Sequence, residues 1–259
     1  MPETFDLTDS AQLLAGMRAA RKAIGRGALI IMPTDTVYGV AADAFTPLAV
    51  AALLAAKGRD RTSPPPVLIP NRATATALAE HIPEALEPLL EEHWPGPLTV
   101  IVRARPQLGW DLGDTNGTVA LRIPGQPLAI ELLEDTGPLA VSSANLHGLP
   151  APKTAARGAS MLGGAIEVVL DAGEVGEHYE PYEKQNGSTI IDASRADGLL
   201  RIVRQGVLSR ETVAGFVGEA LVDADYDERV AREREEAAEP EAAHGGGKQG
   251  SGEDSSAGT

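Results

Sequence analysis

The sequence predicts an α/β fold, a sheet covered by helices, over residues 1–222, followed by a polar tail over 223–259. Two observations predict the first part. Short apolar runs of strand length alternate with segments of helical spacing, and several of the helical segments open on capping residues. A third observation, a sharp change of composition near Val222, sets the tail apart.

Taken in order, Ser10 is placed to cap a helix running to about Gly25, and Ala28–Met32 reads as a buried strand. Thr46 is an N-cap type and Pro47 suits the first helical position, so a helix is expected through Ala56. Val67–Ile69 is strand-like, and helices follow at Ala73–Glu80 and Pro83–His93. Leu98–Ala104 and Thr118–Ile123 read as strands, then Pro127–Glu134 as a helix before a strand at Leu139–Ser142. Val168–Leu170, Ser188–Asp192 and Leu199–Arg204 complete the strands, and Ser209 caps a last helix to about Leu221. Aromatics are only 3% of the 259 residues, so Ala, Val, Leu and Ile must fill the core.

The tail, Asp223–Thr259, has almost no large apolar side chains, so burial cannot offset the entropy of ordering it. It is expected to be a disordered acidic tail, with a transient helix through Glu228–Ala238. It carries 11 acidic and 4 basic residues, and the whole chain has a formal charge of −15, which argues against a general nucleic-acid binder. With no cysteine, disulfides, thiolate metal sites and cysteine nucleophiles are excluded. The polar start, Met1–Ser10, lacks a signal-peptide layout, and no apolar run approaches the ~20 residues of a membrane span. A cytoplasmic protein without a membrane segment is expected.

Several catalytic signatures are absent. There is no Walker A loop, no H-E-x-x-H and no nucleophile elbow, and the Gly25-x-Gly27 pair lacks the third glycine of a dinucleotide fingerprint. Five scattered histidines suggest no metal cluster. Three other segments carry chemistry. Met32-Pro-Thr-Asp-Thr-Val-Tyr-Gly-Val40 follows a buried strand, where α/β proteins place ligand loops. Its hydroxyls at Thr34, Thr36 and Tyr38 either bind a small polar molecule or, the reading favoured by this segment alone, satisfy backbone groups of a turn. Lys57-Gly-Arg-Asp-Arg61 ends a helix and runs into Pro64-Pro65-Pro66. Its cations complement the helix dipole or, equally, bind a polyphosphate. Ser142-Ser143-Ala144-Asn145 leaves a strand and suits contacts to phosphate or ribose, although such residues also end ordinary strands.

The ordered set PTDTVYG, KGR, Trp94–Thr99 (WPGPLT), Val119–Pro124 (VALRIP), SSAN and Gly187–Asp192 (GSTIID) resembles the YrdC-like threonylcarbamoyl-AMP synthase family, over about Ala11–Leu221. The resemblance implies a twisted, mixed α/β sheet with a concave groove, in the single-domain form of the family. It implies an enzyme that joins L-threonine, bicarbonate and ATP into threonylcarbamoyl-AMP and pyrophosphate. Partner proteins then pass the threonylcarbamoyl group to the adenosine next to the anticodon of tRNA, and tRNA itself is a candidate partner. By position, Lys57 and Arg59 match the family's K-x-R pair at the ATP phosphates, where they would act in catalysis. Ser143 and Asn145 match its S-x-N pair at the nucleotide, and Thr118 and Arg204 match further ATP contacts. Thr34, Arg122 and Ser188 match threonine contacts, with Arg122 on the carboxylate.

Two positions depart from the family pattern. Leu68 stands where many relatives have a histidine near the substrate, and Arg61 is an extra cation that either joins the ATP phosphates, where it is assigned here, or is simply solvated. With no carboxylate cluster evident, Mg²⁺ is expected to arrive on ATP rather than on protein side chains. Positioning and fixed positive charge would then supply the catalysis. The alternatives are a double-stranded RNA or tRNA-binding module, a family paralogue without this activity, and a scaffold acting through its tail.

Overall fold

A computed structural model describes residues 1–180 and 186–229. Met1–Val222 is one compact unit. The second unit, Asp223–Thr259, is described only as far as Arg229, so the expectations for the tail lie almost wholly outside the described residues.

The first unit is built on one mixed sheet. Its strands are β1 (Glu3–Asp6), β2 (Leu29–Pro33), β3 (Tyr38–Asp43), β4 (Val67–Leu68), β5 (Leu98–Arg103), β6 (Thr118–Arg122), β7 (Leu139–Ser143), β8 (Ile166–Asp171), β9 (Thr189–Asp192), β10 (Leu200–Arg204) and β11 (Leu221–Val222). They lie side by side in the order β1-β8-β2-β3-β7-β4-β6-β5-β9-β10-β11. Pairs such as β2 with β8 and β4 with β6 are parallel, while β2–β3, β3–β7 and β5–β6 are antiparallel. A sheet of this width twists.

The helices are α1 (Ser10–Ile24), α2 (Pro47–Ala56), α3 (Arg72–Leu78), α4 (Glu87–His93), α5 (Pro127–Thr136), α6 (Ala155–Leu162) and α7 (Arg210–Val217). The β1–β8–β2–β3–β7 half is covered on both faces. Ile30 and Met32 pack with α1 and α5, and Leu29 and Ile31 pack with α2 and α6. That double burial is why β2 reads as an unbroken apolar run. The other half is covered on one face only. Val67, Leu98, Val100, Val119 and Leu121 pack under α3, α4 and α7. The opposite face of these strands carries Thr99, Ile101, Thr118, Ala120 and Arg122, which line a cavity. The two-residue period of a strand thus divides core from site.

Several elements differ from the sequence reading. β3 is buried at the middle of the sheet, yet Gly39, Ala41 and Ala42 give it no strand signature. β1 is a polar edge strand, and α6 carries an interior glycine, Gly158, that weakens any helical signal. The side chain of Asp9, not Ser10, caps α1 by accepting from the Ala11 amide at 2.9 Å. Thr46 occupies the N-cap of α2, but its hydroxyl donates to Asp43 at 2.7 Å instead of capping. Ser209 does cap α7, accepting from the Thr212 amide at 3.0 Å. That helix stops at Val217, because Gly218 turns to φ 54° and Leu221–Val222 leaves to pair with β10.

Gly206, just past β10, allows that segment to pack directly on the residues before β9. A Cβ there would lie 2.2 Å from the Gly187 carbonyl oxygen and 2.5 Å from the Ser188 carbonyl carbon. The Gly206 amide donates to the Thr189 hydroxyl at 2.9 Å, so the segment is pinned and cannot move away. Gly206→Ala is therefore expected to destabilise the fold by about 1–3 kcal/mol, lowering the melting temperature by roughly 3–10 °C. A thermal melt unchanged within about 1 °C would contradict this packing.

Candidate active site

The cavity has a volume of about 710 Å³. Its walls come from strand ends and the loops that leave them, where the backbone is free to face a ligand. Of the ten residues proposed from sequence, eight line it: Thr34, Arg59, Thr118, Arg122, Ser143, Asn145, Ser188 and Arg204. Leu68 lines it as well, in register with Arg122 on the neighbouring strand.

Lys57 and Arg61 are placed differently. Lys57, the C-cap of α2, is 0% exposed and lies behind the cavity wall. Its ammonium donates to the carbonyl oxygens of Ser143 and Asn145, and to Asn145 Oδ1 at 3.3 Å. Burial, and next the Arg59 guanidinium, push its pKa down to about 7. The three oxygen acceptors pull the other way, since only the ammonium form can donate to all three. The K-x-R and S-x-N segments therefore do converge, but the lysine joins them from behind. In this arrangement it shapes the turn and does not face the cavity, because its three donors are already used. Arg61 is exposed and ion-paired, its two terminal nitrogens meeting the Asp111 carboxylate at 2.9 and 2.8 Å. It does not line the cavity, and nearby Asp114 adds a second acidic neighbour at 3.4 Å. Of the two roles open to it, phosphate contact or a solvated cation, the structure shows Arg61 in a surface ion pair.

Arg59 is half-buried and faces the cavity. Its Nη1 reaches the Ser142 hydroxyl at 3.4 Å, and among the described residues its buried Nε has no partner. Among the described residues no carboxylate pairs with it. A buried donor without a partner is costly, so this group is well placed for an anionic ligand. The Asn145 amide nitrogen donates to the carbonyls of Leu146 and Leu149 at 2.9 and 2.7 Å, which shapes the loop that follows.

Arg122, at the end of β6, is 6% exposed. Its Nε donates to the Gly96 carbonyl at 2.9 Å, and Nη1 and Nη2 both donate to the Thr36 hydroxyl at 3.2 Å. Nη2 also donates to Asp35 at 2.7 Å. Thr34 holds its own turn. Its hydroxyl donates to the Val37 carbonyl at 2.6 Å and accepts from the Thr36 and Val37 amides. Ser188 and Thr99 share a hydrogen bond of 2.7 Å between their hydroxyls. Arg204 donates to the Ser188 carbonyl at 2.7 Å and to its hydroxyl at 3.1 Å. Although Arg204 is exposed as a residue, its guanidinium is crowded into the cavity mouth. Desolvation, then repulsion from Arg122 and Arg59, lower its pKa to about 10.

Three guanidiniums thus share one cavity, and among the described residues no Asp or Glu lines it. Such a cavity favours anions. Sequence reasoning missed Asp35, which lies just behind the lining. The available signal was Arg122 itself, since a buried cation requires a counter-charge. It also missed Thr99 as the partner of Ser188. Tyr38, considered as a ligand hydroxyl, is fully buried and donates to the Gly173 carbonyl at 2.7 Å instead. Among the described residues there is no group of three or more His, Cys, Asp or Glu placed to hold a metal ion.

Residues 22–206 match the Sua5/YciO/YrdC family model, whose description reads telomere recombination. A Mycobacterium tuberculosis protein, provisionally named a threonylcarbamoyl-AMP synthase, is 47% identical over 218 residues, covering 84% of this chain and 96% of its own. The threonylcarbamoyl-AMP synthase of Bacillus subtilis is 34% identical over 197 residues, covering 75% of this chain and 54% of that one. Among solved structures, P. abyssi Sua5 complexed with L-threonine superposes with a TM-score of 0.74 at 31% identity, covering 87% of this chain and 64% of that one. E. coli YciO, at 18% identity and a TM-score of 0.66, shares the fold.

The two cations of the K-x-R pair should respond differently to removal. Lys57→Met would leave the Asn145 carbonyl and Asn145 Oδ1 without their donor, at roughly 1–3 kcal/mol for each buried group, while the Ser143 carbonyl keeps the Asn145 amide at 2.9 Å. It is expected to lower the melting temperature by at least ~5 °C and to weaken nucleotide binding with it. Arg59→Ala removes one long hydrogen bond only, so the melting temperature should stay within ~2 °C while nucleotide affinity falls at least about tenfold. Thermal melts and calorimetric titration with ATP check both, and equal melting temperatures for the two variants would contradict the division.

Proposed function

The chain belongs to the Sua5/YciO/YrdC family, and from that premise we propose that it is an L-threonylcarbamoyladenylate synthase acting in the cytoplasm. The substrates are L-threonine, bicarbonate and ATP. The observation that carries the reading is a cavity with Arg59, Arg122 and Arg204 in its walls and, among the described residues, no carboxylate in its lining. All three substrates bring negative charge, and two of them bring carboxylate or phosphate groups that a guanidinium fork fits.

The reaction proceeds in two steps. The threonine amine attacks bicarbonate, giving N-carboxy-threonine and water. The new carboxylate attacks the α-phosphorus of ATP, the bond to the β-phosphate oxygen breaks, and pyrophosphate leaves. No protein nucleophile is needed. Arg59 and the turn at Ser143–Asn145 would hold the phosphates and stabilise the charge that develops on the leaving group. Thr118 and Arg204 would contact the nucleotide. Arg122 would take the threonine carboxylate, with Thr34 and Ser188 beside the amino acid. Mg²⁺ belongs in this scheme as the counter-ion of ATP, a role that suits its preference for phosphate oxygens and water. The product is a mixed anhydride, passed to transfer proteins that place the threonylcarbamoyl group on tRNA. The L-threonine complex of P. abyssi Sua5 and the names of the relatives support this reading.

The test is pyrophosphate release with ATP, bicarbonate and threonine, omitting each in turn. Release should require all three, and Arg122→Ala should raise KM for threonine by at least about tenfold with a smaller effect on ATP. Release that is indifferent to threonine would overturn the proposal.

A further inference from the structure

Nothing in the proposed reaction uses Asp35 or the segment that follows β8, yet both are built against Arg122. The Arg122 and Asp35 side chains are 7% and 9% exposed and meet at 2.7 Å. The same Asp35 oxygen accepts from the Gly125 amide at 2.8 Å. The other carboxylate oxygen accepts from the Tyr179 hydroxyl at 3.4 Å. Each oxygen of this carboxylate therefore has a donor, and its orientation is set from two sides.

Tyr179 is brought there by a segment fastened along its length. The Val175 amide donates to the Lys153 carbonyl at 3.0 Å, and Lys153 Nζ donates to the Gly176 carbonyl at 3.2 Å. Gly176 turns to φ 74° directly against the loop between β2 and β3. A Cβ there would lie 2.2 Å from the Thr36 carbonyl oxygen, so only glycine permits the contact. Burial, and then the neighbouring Asp35, raise the pKa of the Tyr179 phenol, which keeps it a donor.

A guanidinium recognises a carboxylate through a planar fork, so its usefulness depends on where that plane is held. Gly96 and Thr36 fix one edge of Arg122 and Asp35 fixes another. Asp35 also compensates a buried cation whenever no substrate is bound. The geometry points to Asp35 and Tyr179 as positioning residues that brace Arg122, so that residues 173–179 set the affinity for the amino-acid carboxylate without lining the cavity. This rests on the proposed assignment of Arg122 to threonine.

The experiment uses the full chain with Asp35→Asn and Tyr179→Phe, following pyrophosphate release at varied threonine and at varied ATP. Asp35→Asn should raise KM for threonine by about tenfold or more, and Tyr179→Phe by roughly two- to fivefold, the effects of a charged and a neutral hydrogen bond. KM for ATP and kcat should stay within about twofold in both. Thermal melts establish folding, and should Asp35→Asn fail to fold, the half-buried Tyr179→Phe carries the test. Unchanged threonine KM, or equal losses for threonine and ATP, in an active wild-type background would overturn the brace while leaving the proposed function intact. A wild-type chain that releases no pyrophosphate would overturn both.

Discussion

The ammonium of Lys57 ties the end of α2 to the turn after β7, and the geometry of the cavity depends on that tie. Burying a lysine costs several kcal/mol unless its donors are satisfied. Here three oxygens from Ser143 and Asn145 satisfy them. The same contact holds two carbonyls of the S-x-N turn and sets Arg59, two residues on, at the cavity wall. Asn145 extends the tie by fastening the loop at Leu146 and Leu149. A helix end and a strand end far apart in sequence thereby become one rigid wall.

Charge is distributed with the same economy. The chain is strongly acidic, yet among the described residues no carboxylate lines the cavity, and Asp35, just behind the lining, is engaged with Arg122. Desolvation, and after it repulsion from Arg122 and Arg59, lowers the pKa of Arg204. An anionic ligand in the cavity would relieve that repulsion. The acidic balance of the chain disfavours loose association with polyanions.

Much of this was legible in the sequence. The alternation of apolar runs and helical patterns located β2, β5, β6, β7, β8, β9 and β10, and the spaced motifs located eight of the cavity-lining residues. What stayed hidden has physical causes. Tyr38–Asp43 is buried on both faces and made largely of small residues, so β3 carries neither alternation nor bulk. A lysine in a K-x-R pair looks the same whether it points into a cavity or behind it, so the burial of Lys57 emerged only from the fold. Arg61 was read without its partner, because Asp111 lies fifty residues on. Asp35, set among hydroxyls, became meaningful only once β6 brought Arg122 beside it.

The central claim is that one cavity receives the nucleotide at Arg59 and the 143–145 turn and the amino acid at Arg122. It is tested most directly by an experimental structure of the chain with a non-hydrolysable ATP analogue and L-threonine. The account predicts phosphate oxygens within hydrogen-bond distance of Arg59 and of the Ser143–Asn145 turn, with the threonine carboxylate on Arg122 and Asp35 still behind it. Phosphates held at Arg61 on the surface, or threonine bound away from Arg122, would contradict it.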